Sequence, residues 1–333
     1  MALFNGAFYI KLILTSQEVV GEWAFQSTFF YSLMILLGVQ INVATSKSDL
    51  GIKVLLLSSF SICFIGLLVL CLVRKDSLWL LLWVVTCGHF LLQSLVEIGH
   101  GFHSRSLALI VGFVPAVFVL FLVPGIFGLK IALLTFYLLS SFSMLYVVIR
   151  LVGSYSKTNN DYEAYFKVFG SFLLVSLPQI FLDPLIKSHM PTVELSSAGR
   201  YELVNKGLSQ IRTIAASSLR HVLQTKDVKY SKNQFPLMLI GLVLHILMFN
   251  ECLVIHFIVG SVLNVSLIKQ YYSLMKRDAR FLSFLGLANL GLVQILLSIR
   301  LDEVYFISAY LMSANAISVF IKSYVVNNPY RMS

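Results

Sequence analysis

The sequence predicts an all-α fold: a polytopic transmembrane helix bundle of about ten spans, carrying a basic amphipathic helix on its cytoplasmic side. Three observations predict it. First, the 333-residue chain is 58% hydrophobic and 12% charged, about half the charged share of an average soluble domain, and its mean hydropathy is +0.86. Second, apolar runs of roughly bilayer-crossing length recur along the whole chain. Third, Lys and Arg outnumber Asp and Glu by 25 to 15 and gather in alternate connections. In a membrane protein that pattern orients the chain, so the basic balance does not imply a nucleic-acid partner.

The first apolar run is Ala24–Ala44. Residues 1–23, with Lys11, Glu18 and Glu22, lack the core and cleavage site of a signal peptide, so the first span is expected to direct insertion. The second run is Val54–Val73, closed by Arg74, Lys75 and Asp76. The third is Leu78–Ile98, with His89, Gln93 and Glu97 in it. Ser106–Val123 is the fourth, and Pro124-Gly125 turns the chain tightly into the fifth, Ile126–Leu151, which contains Lys130. The sixth runs from Lys167 to Lys187 and is the segment around which the others are organised. It carries Pro178, Gln179, Asp183 and Pro184 inside an otherwise apolar helix. A proline removes a backbone donor. A carboxylate at membrane depth costs several kcal/mol unless it meets a partner or water. Asp183 reads equally well as a marker of the membrane boundary.

The long polar section 189–234 follows. Within it, residues 199–224 have helical periodicity through Val204, Leu208, Ile211, Ala215, Leu219 and Val222. Arg200, Lys206, Arg212 and Arg220 are interspersed among them. A basic amphipathic helix of this kind is expected to bind anionic lipid headgroups at the cytoplasmic leaflet; a solvated helix under the bundle is the other reading. The apolar stretch Phe235–Ile268 is too long for one ordinary crossing and has Asn250-Glu251 near its middle. It reads as the seventh and eighth spans, with a re-entrant hairpin as the alternative. Phe281–Ser298 and Val304–Val326 are the ninth and tenth.

With both termini and 189–234 inside, the outer connections carry Lys47, Lys53, Arg105, Arg150, Lys157, Lys167 and Arg300, and most other basic residues fall inside. This bias supports ten spans with both ends cytoplasmic. The chain forms one membrane domain, 1–333, with no separate soluble domain. The four cysteines, Cys63, Cys71, Cys87 and Cys252, lie in apolar runs and suggest neither a disulfide framework nor a metal site.

No phosphate loop, HExxH or GxSxG occurs, so no catalytic residues and no cofactor are indicated. Glu97, His100 and His103 approach metal-ligand spacing, but at a membrane boundary polar residues are expected, and no metal is assigned. What remains is a set of intramembrane polar residues. Gln179, Asp183, Pro178, Lys130, Asn250, Glu251 and Glu97 are the candidates for a substrate path, with Lys130 pairing a carboxylate such as Asp183 or Glu251. Such residues otherwise serve to glue helices together. The expected function is of transport type, moving phospholipid or a small solute, with the bilayer and another membrane protein as partners. The alternatives are a chemosensory-type receptor, and an enzyme or assembly factor for lipid-linked substrates acting through Glu97, His100 and His103. Plasma membrane and endomembrane are not distinguished.

The central segment resembles the signature of the XK-related family of membrane proteins. The residues that carry this are Lys167, Phe169, Phe172-Leu173 and Pro178-Gln179. His89–His100, Ala216–Arg220 and Lys322–Arg331 are similar to further family segments in the same order. Gly170, Leu174 and Val175 stand where that family usually has acidic residues. The resemblance implies lipid scrambling, with headgroups crossing along a hydrophilic helix face while the acyl tails stay in lipid.

Overall fold

The structure is a computed structural model that describes residues 2–46, 51–73, 76–98, 102–151, 162–188, 195, 199, 202, 203, 206, 279–298, 318, 319 and 322. Every regular element among them is helical. In chain order these are α1 (Ala2–Ile13), α2 (Gln17–Ser46), α3 (Ile52–Val73), α4 (Ser77–Ile98), α5 (Phe102–Leu122), α6 (Gly125–Arg150), α7 (Tyr162–Ser188) and α8 (Ala279–Ser298). Six of them, α2 to α7, are long and apolar enough to cross a membrane, and they coincide with the first six expected spans. The chain is therefore a multi-pass membrane protein by length and composition. α8 covers the expected ninth span, with a shorter apolar stretch, Arg280–Ile295. The seventh and eighth spans lie outside the described residues, and of the tenth only 318, 319 and 322 are described, all helical.

The outward surface is apolar. Leu72, Leu122, Phe60, Phe142, Phe64 and Phe118 are all exposed, a distribution that suits lipid and would be an aggregation hazard in water. From α2 to α7 the helices alternate in direction. At one end Trp23 of α2 packs on Trp79 of α4, with ring centres 5.5 Å apart. At the other, Val43, Ala44, Val54, Leu55, Leu95, Ile98 and Tyr165 form a separate cluster.

Two helix junctions have a visible local cause. Asp76 caps α4 by accepting from the Leu78 N–H at 2.9 Å. Its other oxygen accepts from Lys130 Nζ at 2.6 Å, and this ammonium lies 5.1 Å from the Trp79 ring centre. Gly125 has φ +70, the left-handed region that glycine enters without steric cost, and this allows the abrupt turn from α5 to α6. On α3, Gly66 leaves room for the Trp83 ring, whose Nε1 donates to the Cys63 carbonyl at 3.0 Å. Gln40 of α2 donates to the Leu55 carbonyl of α3 at 3.3 Å and also to Ser59.

α1 was not anticipated. Its 12 residues span about 18 Å, too short to cross a bilayer of about 30 Å. Phe4, Phe8 and Leu12 recur at four-residue spacing and are buried. Phe4 stacks on Phe136 of α6 at 4.1 Å, Phe8 lies 5.7 Å from Trp23, and Lys11 sits over Phe121 at the end of α5. The helix is a wedge among the spans.

Candidate functional site

α7 is continuous through both of its prolines, and α8 explains how the first is accommodated. Pro178 has no N–H, so the Leu174 carbonyl loses its helical donor. Ser283 Oγ of α8 donates to that carbonyl at 2.9 Å. Gly286, one turn further along α8, lies against the Pro178 ring, where an added Cβ would meet Cγ at 2.6 Å. The missing backbone bond is thus replaced by protein, the condition under which a proline is tolerated inside a helix at membrane depth.

One turn beyond the break lies a chain of charges. Lys187 Nζ is 2.9 Å from Asp183 and 2.9 Å from Glu202, and it donates to the Ala24 carbonyl of α2 at 3.2 Å. Lys206 lies 3.5 Å from the other oxygen of Glu202 and 3.0 Å from the centre of the Tyr31 ring. The Lys187 and Glu202 side chains are only 3% and 1% exposed, whereas Asp183 is 24% exposed. Burial alone raises the Glu202 carboxyl, but Lys187 and Lys206 outweigh it and hold the group below its ordinary value. Burial depresses the Lys206 ammonium below its ordinary value, against the pull of Glu202.

The residues that bring Glu202 here are Leu195, Gly199, Glu202, Leu203 and Lys206, all helical. The spacing places 195, 199, 202 and 206 on one helix face. Gly21 of α2 faces the Leu195 backbone and Gly199 faces the Gln17 backbone, so closely that neither has room for a Cβ. Paired small residues of this kind let helices approach in a membrane.

A second polar set lies on α4. His89, Gln93 and Glu97 follow at four-residue spacing, so they form a column about 12 Å long. His89 is buried, with Nδ1 3.0 Å from Ser140 Oγ of α6. Glu97 forms an ion pair with Arg105 of α5. With its amide oriented to suit its neighbours, Gln93 accepts from Arg105 Nε at 3.2 Å.

These contacts redistribute the expected site residues. Pro178 and Asp183 lie on α7 beside α8 and the charge chain, respectively. Gln179 is on α7 too, but its side chain lies outside the described residues. Lys130 does not pair with Asp183 as expected. It is near the start of α6 and its partner is Asp76, because the α3–α4 junction lies at the same end of the bundle. Glu97 belongs to the separate α4–α5 set. Lys206, expected on the membrane surface, turns inward to Glu202 and Tyr31. Arg200, Arg212, Arg220, Asn250, Glu251 and His100 lie outside the described residues, as does the side chain of His103. Glu202, Lys187 and Tyr31 are members of the site that sequence reasoning missed. The only signal was the Glu202/Lys206 pair at helical spacing, which resembles any solvated i,i+4 pair. Among the described residues, no group of three or more His, Cys, Asp or Glu side chains is placed to hold a metal ion.

The arrangement holds a positive group beside carboxylates and an aromatic face, inside a multi-pass membrane protein. No protein-family model matches the chain, and no curated protein or solved structure matches it either.

Proposed function

We propose that this chain is a transport-type membrane protein. It moves a phospholipid headgroup or a small solute along a polar route beside α7, past Gln179 and Asp183. The observation that carries this reading is the buried chain Asp183–Lys187–Glu202–Lys206 at the end of a span with two prolines. Charges inside a membrane bundle are costly, and in membrane proteins they commonly mark substrate paths. An apolar interface would hold α2 and α7 together at lower cost. The resemblance of residues 167–179 to the XK-related family favours phospholipid as cargo. The basic residues Arg200, Arg212 and Arg220 fit a contact with anionic lipid, and another membrane protein is the partner expected beside the bundle.

The test is reconstitution of the purified chain into vesicles. Flipping of acyl-labelled phospholipids and entry of small solutes are followed with and without protein. Protein-dependent movement of either, reduced by Asp183→Asn, is the expected outcome. Vesicles in which neither moves under any activating condition would contradict the proposal.

A further inference from the structure

Lys206 occupies a site whose chemistry is that of an ammonium receptor. Its Nζ lies 3.0 Å from the centre of the Tyr31 ring and 3.5 Å from a carboxylate oxygen of Glu202. Aromatic faces next to carboxylates are how proteins recognise alkylammonium and quaternary ammonium groups. The charge count makes the site depend on an occupant. Asp183 and Glu202 face Lys187 and Lys206, so the cluster is neutral as built and carries one uncompensated negative charge if Lys206 leaves. Because the Glu202 side chain is 1% exposed, that charge has almost no access to water, and stranding it is costly. A departing Lys206 must therefore be replaced by another cation or by a proton on the carboxylate.

We propose that Lys206 is a built-in stand-in for the substrate, and that the site formed by Tyr31 and Glu202 takes the ammonium group of an ammonium-bearing headgroup. This rests on the transport reading and narrows it. The cargo is a lipid with a choline, ethanolamine or serine headgroup, or the corresponding free ammonium solute, and not an anionic lipid without an amine. Lys206 holds the site in the closed state and the headgroup ammonium displaces it. Lys187, fixed between Asp183 and Glu202 and bonded to the Ala24 carbonyl, stays in place and keeps the carboxylates oriented.

The first test is chemical rescue, and it needs no transport activity. Lys206→Met vacates the site without shortening the side chain greatly. The variant is expected to unfold at a lower Tm in detergent, and tetramethylammonium chloride is expected to restore the larger part of that loss. Sodium chloride at the same concentration is expected to restore little. Adding Tyr31→Leu is expected to abolish the difference between the two salts. Equal effects of the two salts, or no rescue by either, would overturn the inference.

The second test uses the wild-type chain in vesicles, so it does not depend on the variant folding. Acyl-labelled phosphatidylcholine and phosphatidylglycerol are compared, with free choline entry as a third arm. Phosphatidylcholine is expected to move about tenfold faster than phosphatidylglycerol, the discrimination that a desolvated cation–aromatic contact supplies. Faster entry of choline than of neutral solutes, with no lipid movement, would assign the site to a free ammonium solute. Equal rates for the two lipids, without choline selectivity, would overturn the ammonium inference and leave the transport reading standing. If nothing moves, the transport reading falls, and the rescue experiment alone decides whether the site binds ammonium.

Discussion

Ser283 of α8 donates a 2.9 Å hydrogen bond to the carbonyl of Leu174, the acceptor that loses its helical partner because residue 178 is proline. This bond ties the most unusual span of the bundle to a helix more than a hundred residues later in the chain. It gives a direct energetic test. Ser283→Ala is expected to cost about 1 kcal/mol, the usual value of an interhelical hydrogen bond in a membrane. In a Pro178→Ala background the Leu174 carbonyl regains a backbone donor, and the same substitution is expected to cost little. A double-mutant cycle on unfolding in mixed micelles reads the coupling. Strict additivity would mean that the bond does not serve the proline break.

Lys187 is expected to be the least replaceable residue of the site. Lys187→Met leaves Glu202, almost fully buried, with Lys206 as its remaining partner. Breaking a buried ion pair from one side costs roughly 3–5 kcal/mol. The double variant Lys187→Met/Glu202→Gln is expected to recover most of this. Thermal unfolding in detergent is the measurement, and a double variant no more stable than the single one would contradict the pairing.

The same carboxylate gives a pH dependence. Glu202 is held below its ordinary value by Lys187 and Lys206, which outweigh the effect of burial. A depressed carboxyl contributes stability that is present above the unfolded-state value and is lost as the pH falls through the folded-state value. The wild type is therefore expected to lose Tm as the pH is taken down below about 4.5. Glu202→Gln is expected to show a flatter profile over that range. Parallel profiles for the two proteins would contradict the assignment.

Gly21 is expected to control the seat of residues 195–206. A Cβ there would collide with the Leu195 backbone, which does not move aside as a flexible side chain does. Gly21→Val is therefore expected to displace this segment, while Gly6→Val, where nothing lies within 4 Å, is expected to leave it in place. Labelling of Leu203→Cys by a water-soluble maleimide reads the difference. Equal labelling in the two backgrounds would place the segment elsewhere.

Much of this fold was legible in the sequence because hydropathy and length act locally. All six spans from Ala24 to Lys187 coincide with helices, and the Pro124-Gly125 turn lies where expected. α1 was not legible. A 12-residue helix is too short to register as a span, and the acidic residues after it mask its Phe4/Phe8/Leu12 stripe. Pairings between helices were also out of reach. Lys130 faces Asp76 because two junctions meet at one end of the bundle, a fact of topology and not of spacing. The pattern His89/Gln93/Glu97 was visible, but Arg105, which completes it, was assigned to a connection. The Pro178/Asp183 segment stood out by composition, whereas Lys206 read as a membrane-surface residue and Glu202 carried no signal of its own. Only the close approach at Gly21 and Gly199 turns them inward.

The claim that α7 lines a polar route is tested most directly by the water accessibility of its faces. Single cysteines are introduced by Gln179→Cys, Asp183→Cys, Leu177→Cys and Phe181→Cys into a chain lacking its native cysteines, reconstituted in vesicles. Each is then treated with a small, charged methanethiosulfonate reagent. Leu177 and Phe181 are exposed on the apolar outer surface, so both are expected to stay unlabelled in lipid. Positions 179 and 183 are expected to react, and to be protected by the transported substrate. If positions 179 and 183 are as inert as 177 and 181, α7 borders no hydrated route and the transport account is wrong.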